Sequence, residues 1–277
     1  MIILPLKRIN DVSNLVTIVQ ARMKSTRLPY KVLMDLAGKP LLVRVVERII
    51  SSKESGTVVV ATTTDPSDDM IFDLCKKENI NVFRGDPVDL LDRHYKAALQ
   101  YNAETVVKIP SDCPLIDPRV ITKVIQYYKS YSSLFDYVSN LHPATYPDGN
   151  DVEVMSMEAL EQALNESDKN FEREHTTPFL WENPHRFNIG NVYWETGYDY
   201  SMTHRWTIDY EEDYMLLKII YEELYKCNPN FSVQDILLLM DKKPALKKIN
   251  EKYVGVNWYR DHLGELKTIS RTQTKVI

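Results

Sequence analysis

"VTIVQARMKSTRLPYKVLMDLAGKPLLVRVVERI" (Val16–Ile49) begins with a short apolar run and ends with a helical pattern. Val16–Val19 read as a buried strand. Leu41, Leu42, Val45, Val46, Ile49 and Ile50 recur at helical spacing behind Pro40, a residue suited to a first turn. Between strand and helix, Arg22, Lys24, Arg27, Lys31 and Lys39 fall within eighteen residues, interrupted only by Asp35. A strand, a long basic loop and a helix form the opening unit of an α/β sheet. The loop's charge calls for either an anionic guest or a solvated turn.

The same alternation continues along the chain. "TVVVATTT" (57–64), "NVFRG" (81–85) and "TVVKI" (105–109) read as strands. "SDDMIFDLCKKENI" reads as a helix capped by Ser67, and "DPVDLLDRHYKAALQY" as one capped by Asp86 with Pro87 in its first turn. A further helix begins at Pro118 behind Asp117. This regularity predicts a three-layer, Rossmann-like α/β fold with a mainly parallel sheet and helices on both faces. Ligands of such sheets bind beyond the carboxyl ends of the strands. The basic loop and "PSDCP" (110–114) both belong there.

From about Asn140 the alternation loosens. "NLHPATYPDGNDVEVMS" predicts a hairpin, and a helix follows from Ser156. "RFNIGNVYW" predicts a strand, and "HRWTID" a last core strand ending at Asp209, before the helix "YEEDYMLLKIIYEELY". "SVQDILLLMDKKPALKKIN" predicts a small helical appendage with Ser232 and Asp235 in a capping box. The expected organisation is a main domain over 1–230, a lobe inserted at about 140–195, and an appendage over 231–277.

Composition narrows the functional classes. Hydrophobic residues make up 44% and charged residues 26%, ordinary for a globular protein. A net charge of −5 argues against a nucleic-acid-coating role. Three widely spaced cysteines, Cys75, Cys113 and Cys227, suit a reducing compartment, hence a cytoplasmic expectation. The apolar run in "MIILPLKRIND" is too short for a signal peptide, and no stretch has the length of a membrane span.

A polyphosphate needs converging donors: Arg offers planar multidentate donation and Lys a movable point charge. Arg22, Lys24, Arg27 and Lys31 supply both, and Ser25 and Thr26 add hydroxyls. No GxxxxGK[ST] occurs, so P-loop ATPase chemistry is not expected. Asp112 and Asp209, each ending an expected core strand, could hold Mg²⁺ against phosphate oxygens. Each also has a plain alternative, Asp112 as a turn cap before Pro114 and Asp209 as a helix N-cap. Cys113 has no feature of an activated thiolate.

"IVQARMKSTRLPYKVL" (18–33) resembles the signature of the CTP-dependent sugar nucleotidylyltransferases, the acylneuraminate and 3-deoxy-manno-octulosonate cytidylyltransferases among them. The branch it most resembles is that of spore-coat polysaccharide biosynthesis protein F. The similarity continues in order through "GKPLLVRVVERI", "VVVATTT", "VFRGDPVDLLDRHYKAA", "SDCPLIDP", "TYPDGNDVEVMSMEALEQA", "EREHTTPF" and "HRWTIDYEED", covering roughly 16–225. It implies that Arg22, Lys24, Ser25, Arg27 and Lys31 wrap a triphosphate, with Gln20 and Ala21 near the nucleoside and Arg84 on the nucleotide edge. It implies Mg²⁺ on Asp112 and Asp209, with Arg22 and Lys31 also catalytic. Glu172, Arg173, Glu174, His175 and Arg205 fall in or beside the acceptor lobe. His175 is a candidate base or acceptor contact, against the plainer reading of a structural histidine. Two departures stand out. Pro110 replaces a common polar residue and lacks an N–H, so cytosine must be recognised from elsewhere. Tyr30 replaces a common Gly, which suggests a stiffer turn or a stacking surface.

The implied activity is transfer of CMP from CTP to a sugar or sugar-acid acceptor, releasing pyrophosphate, in surface polysaccharide or glycan synthesis, by a homodimer. Three rivals stay open: the same transfer from another nucleotide such as GTP, a glycosyltransferase of similar fold, and a non-catalytic nucleotide-binding module. The glycosyltransferase would usually carry Asp-x-Asp where this chain has Ser111-Asp112-Cys113.

Overall fold

The structure, a computed structural model, describes residues 14–277. The leader reading of the first eleven residues lies outside them. The strand pattern of the opening unit is period-two: Leu15 and Val19 face one core, and Val16 and Ile18 the other. That places β1 (Leu15–Gln20) at the sheet centre. The strand β2 (Thr57–Thr63) pairs parallel with one edge of β1, and β3 (Asn81–Gly85) continues parallel beyond it. On the other edge β1 pairs parallel with β4 (Thr105–Lys108). Strands β5 (Tyr137–Ser139), β6 (Glu153–Ser156) and β7 (Ile189–Asn191) complete a seven-stranded sheet of order β3-β2-β1-β4-β6-β5-β7. Only β6 runs antiparallel to its neighbours. The chain thus winds outward in both directions from the β1–β4 pair, and the crevice beyond their carboxyl ends is the switch point where ligands bind.

Helices cover both faces. Of these, α1 (Leu41–Ile50) buries Leu41, Leu42, Val45, Val46 and Ile49, as the sequence periodicity predicts, although Pro40 is its N-cap rather than inside the first turn. α2 (Asp69–Lys77) and α3 (Leu90–Gln100) both start later than expected. Asp65 caps the short turn before α2, accepting from the Ser67 backbone N–H, so Ser67 is not the cap. Asp89 caps α3, whereas Asp86 accepts from Val88 and Asp89 in a preceding turn. α4 (Pro118–Ser130) is capped by Asp117 and α5 (Met157–Glu166) by Ser156.

Two calls on the later chain change. The expected hairpin is a β5–β6 pair joined by a long loop, and "HRWTID" adds no strand to the sheet. Extended backbone there bonds a loop instead: the Ile208 N–H donates to the Asp112 carbonyl, and Arg205 bridges to Asp148. The short helices α6 (Asn170–His175) and α7 (Pro178–Trp181) follow, then α8 (Glu211–Leu224). α9 (Val233–Lys242) begins with the Ser232–Asp235 capping box. Phe231, Val233, Ile236 and Met240 are buried in the same cluster as Val19 and α1, and Leu266 and Ile269 in the cluster on the opposite face. The segment 231–277 is therefore packed into both cores. No helix among the described residues is long and apolar enough to cross a membrane. Cys75, Cys113 and Cys227 are unpaired.

Candidate active site

Two adjoining cavities open at the carboxyl ends of β1 and β4. The smaller, about 330 Å³, is bounded by the basic loop, the start of α3 and the Ser111–Asp112 turn. The larger, about 680 Å³, extends under β6 and the 140–153 loop. Gln20, Arg27, Asp112, His175, Asp209 and Trp258 line both, so the two form one crevice.

The basic loop divides. Arg22, Ser25, Thr26, Arg27 and Lys31 line the smaller cavity with Ala21. Lys24 instead pairs with Asp65 at 2.7 Å, and Lys39 with Glu47 at 2.7 Å. Tyr30 turns the loop at φ 62°, in the left-handed region that glycine favours, and the residue is 59% exposed. Arg84 does not line either cavity: its guanidinium donates to the Thr63 and Asp65 carbonyls and pairs with Asp69.

Arg93, on the buried side of α3, is a residue the sequence reading missed. It is 3% exposed, lines the smaller cavity, and its Nε and Nη1 have no hydrogen-bond partner. Burial, followed by the like charge of Arg22, pulls its pKa down to about 10. Its stem passes over Gly85, where an added Cβ would meet Arg93 Cγ at 3.0 Å. Arg22 makes no salt bridge among the described residues. Neither guanidinium has a salt-bridge partner among the described residues, and together they make this corner of the cavity cationic.

The two acids face this site. Lys31 Nζ lies 3.1 Å from Asp209 and 3.7 Å from Asp112, and donates to the Ile208 carbonyl at 2.7 Å. Arg27 meets Asp209 at 2.8 Å. Although burial opposes it, Lys31 and then Arg27 hold the Asp209 carboxyl down at about 2. Neither acid's side chain is a helix cap. Tyr210 is the N-cap of α8, and the Asp213 carboxylate accepts from the Asp209 and Tyr210 N–H groups. Two carboxylates sharing one ammonium have the spacing to share a divalent cation. Among the described residues no three acids, histidines or cysteines are arranged to hold a metal ion by themselves, so such an ion would complete its shell with substrate oxygens and water, as Mg²⁺ does.

Arg205 is not available to an acceptor. Its side chain is 1% exposed, and its donors go to Asp213, Asp209, Asp148 and the Val256 carbonyl. Trp206 is fully buried packing. Glu172 is buried and closes the start of α6, and Arg173 ties α6 to Asp89 at 2.6 Å, which leaves Glu174 exposed at the cavity edge. His175 lies flat against Trp258, with ring centroids 3.8 Å apart. Burial, then Lys108, pushes its pKa down to about 3, so it is a neutral ring and a weak base.

Other residues of the larger cavity were not among the expected site residues. The buried pair Lys108–Glu153 closes at 2.5 Å, and Tyr137 donates to the same carboxylate. Burial, then Asp112 and Glu153, raises the Asp151 carboxyl to about 7. The tail supplies a whole wall, from Gly255 to Tyr259 and again at Ser270, Thr272 and Gln273. It is latched by Glu182, which accepts from the Lys267 and Thr268 N–H groups and the Thr268 hydroxyl.

A switch-point crevice in which, among the described residues, Arg22 and Arg93 lack salt bridges beside a pair of convergent acids is that of a nucleotide-handling α/β protein. Comparison with known proteins specifies the class. A cytidylyltransferase family profile matches residues 16–249, and the chain belongs to that family. It is 35% identical over 240 residues to an uncharacterized protein of Methanocaldococcus jannaschii, covering 85% of this chain and 94% of the other. It is 28% identical to the spore coat polysaccharide biosynthesis protein SpsF of Bacillus subtilis, over 84% and 96%. A solved cytidylyltransferase from Leptospira borgpetersenii superposes with a TM-score of 0.79 at 32% identity, over 84% and 96%. The expected α/β fold and family resemblance are thereby shown.

Proposed function

We propose that this protein transfers CMP from CTP to an oxygen of a sugar or sugar-acid acceptor, releasing pyrophosphate, in surface polysaccharide or glycan synthesis. The observation that carries the proposal is the uncompensated Arg22–Arg93 pair beside the Asp112–Asp209 pair. Several negative charges are needed to satisfy the first, and a cation to satisfy the second. A metal-bound triphosphate supplies both.

Arg22, Arg93 and the Ser25–Thr26 turn hold the phosphates, and Lys31 and Arg27 face the charge that grows on the leaving pyrophosphate. Asp112 and Asp209 would hold Mg²⁺, which when bound neutralises phosphate charge and polarises the phosphoryl oxygens. The larger cavity holds the acceptor, with Asp112 and Asp209 on the boundary between the two. The acceptor hydroxyl loses its proton to water as its oxygen bonds to the α-phosphorus, the bond from the α-phosphorus to the oxygen bridging to the β-phosphate breaks, and that electron pair leaves with pyrophosphate. Positioning in a walled crevice carries most of the rate enhancement. The reading includes a homodimer through the 140–195 lobe and a cytoplasmic location. A monomer in sedimentation at micromolar concentration would remove the dimer.

The test is pyrophosphate release with CTP, GTP, UTP or ATP over an acceptor panel with Mg²⁺. Release of a nucleoside diphosphate from a nucleotide sugar would favour the glycosyltransferase instead. CTP binding without release across the panel would favour a binding module.

A further inference from the structure

We infer that Trp258 of the tail is a positioning residue: it holds the His175 ring where the two cavities meet, and His175 there hydrogen-bonds a sugar hydroxyl of the substrates. This rests on the reading above that the crevice holds the nucleotide and its acceptor.

Three observations converge on His175. The first is its place. Asp112 and Asp209, the proposed metal positions, line both cavities, and His175 and Trp258 line both with them. The two rings lie 3.8 Å apart between centroids and within 15° of parallel. A stacked neighbour occupies the face of an imidazole and leaves free the edge that carries its nitrogens.

The second is a pair of unused hydrogen-bonding atoms. Among the described residues neither ring nitrogen of His175 bonds to a protein group, and neither is sealed off from the crevice. Burial, then Lys108, keeps the ring uncharged, so one nitrogen donates and the other accepts. A hydroxyl answers both, and sugars and sugar acids carry hydroxyls alike.

The third is backbone strain. Thr176, directly after His175, is fully buried at φ 73° and ψ −49°. The Thr177 N–H donates to the His175 carbonyl at 2.9 Å, which closes a three-residue turn of the rare, strained hand. A β-branched residue at positive φ persists only where its surroundings hold it, and such positions gather at functional sites. Here the turn ends α6 and fixes the backbone from which the His175 ring projects.

Trp258 holds that ring from the other side. Its own ring stands 4.7 Å from Tyr259, 6.2 Å from Trp181 and 6.4 Å from Phe171, so the tail, α6 and α7 share one aromatic cluster. Glu182, at the end of α7, latches the same tail through the Lys267 and Thr268 N–H groups. The family profile ends at residue 249, so Trp258 reaches the crevice from outside the matched segment.

The test uses the full chain. CTP, 2′-deoxy-CTP and 3′-deoxy-CTP are titrated by calorimetry with Mg²⁺, and pyrophosphate release is measured over sugars, sugar acids and their monodeoxy forms. His175→Phe keeps a flat ring against Trp258 and removes both nitrogens. It should lose about 10-fold in CTP affinity or in acceptor kcat/KM, with Tm within about 2 °C of wild type. The deoxy substrate that costs wild type the same factor, and costs His175→Phe nothing further, identifies the hydroxyl. A deoxy-CTP places it on the ribose, and a deoxy sugar on the acceptor. Trp258→Leu should reproduce the loss, whereas Trp258→Phe, which keeps an aromatic face, should stay within about 3-fold of wild type. A His175→Phe variant equal to wild type in both arms overturns the inference. So does a loss that no deoxy substrate reproduces, or a Trp258→Phe variant as impaired as Trp258→Leu. Should His175→Phe fail to fold, the deoxy comparison is read in Trp258→Leu, where undiminished discrimination overturns the inference. Absence of CTP binding to the wild type instead overturns the nucleotidylyltransfer reading beneath it.

Discussion

Arg93 offers a direct test of whether the crevice is built around a missing polyanion. Its guanidinium is buried, lacks a carboxylate partner and has a pKa near 10 instead of 12.5. At about 1.4 kcal/mol per unit, that shift corresponds to about 3 kcal/mol of penalty on the charged form. The sign is clear: the folded pKa of this base is depressed, so the cost is fully present below pH 10, where both states are charged, and fades above it. Arg93→Met keeps an unbranched stem over Gly85 and removes the charge. After allowance for lost contacts, the ligand-free protein should gain about 1–3 kcal/mol. At about 2–4 °C per kcal/mol, Tm should rise by roughly 3–10 °C. With CTP the ordering should narrow or reverse. Each charged hydrogen bond lost costs about 1.5–3 kcal/mol, so affinity should fall roughly 10- to 100-fold. Thermal unfolding at pH 7.5, with and without CTP and Mg²⁺, reads both effects. A variant that melts below wild type without ligand, yet keeps the full CTP-induced rise, would show Arg93 to be a structural residue and refute the reasoning.

Other substitutions separate chemistry from scaffold. Asp112→Asn should reduce pyrophosphate release at least 100-fold with Tm within about 2 °C of wild type, whereas unchanged turnover would remove the metal assignment. Asp209→Asn should also lose turnover, but it leaves Lys31, Arg27 and Arg205 crowded. Because the Asp209 pKa is lowered to about 2, its stabilisation is present above pH 3.8 and lost as pH falls toward 2. The variant should therefore be less stable than wild type at pH 7 by roughly 1–2 kcal/mol and no less stable near pH 2; an equal deficit at both would exclude this linkage. Glu182→Gln weakens the tail latch, and should raise acceptor KM more than CTP KM. Equal changes in both would mean that the tail supports the whole fold.

The central architecture was legible because burial imposes a period: two for β1, and 3.6 for α1. Boundaries were less so. Asp86 and Asp89 both satisfy the chemistry of a helix start, and only the geometry shows that one makes a turn and the other the cap. "HRWTID" alternates like a strand because it is extended, but alternation does not reveal whether the backbone partner is a ladder or the Asp112 loop. Arg93 was hidden for a related reason. On α3 it follows Asp92 in a charged stretch that resembles a solvated face, and only the tertiary fold turns it inward. The tail carries no motif at all. Its place in the crevice depends on Lys267 and Thr268 meeting Glu182 at the end of α7, and on Trp258 meeting His175, contacts between segments far apart in sequence.

The crevice is assembled from segments that no single motif joins, and Arg205 shows how they are held. Its guanidinium links Asp213 at the start of α8, Asp209 on the boundary of the two cavities, Asp148 on the wall of the larger one and Val256 in the tail. Asp213 in turn fixes the Asp209 and Tyr210 N–H groups and accepts from the Asn250 side chain. A planar guanidinium can do this because its donors have fixed directions, which a lysine ammonium lacks. Burying that charge is costly, and three carboxylates offset the cost. The result sets Asp209 by two elements at once: Arg205 grips one oxygen from inside, while Lys31 and Arg27 approach the other from the basic loop. On the proposed reading, a triphosphate arriving at the loop would compete for Lys31 and Arg27 and leave Arg205 in place. If Asp209 holds a cation as proposed, it would then turn an outward oxygen to that cation without losing its orientation, so nucleotide binding itself would prepare the second half of the site.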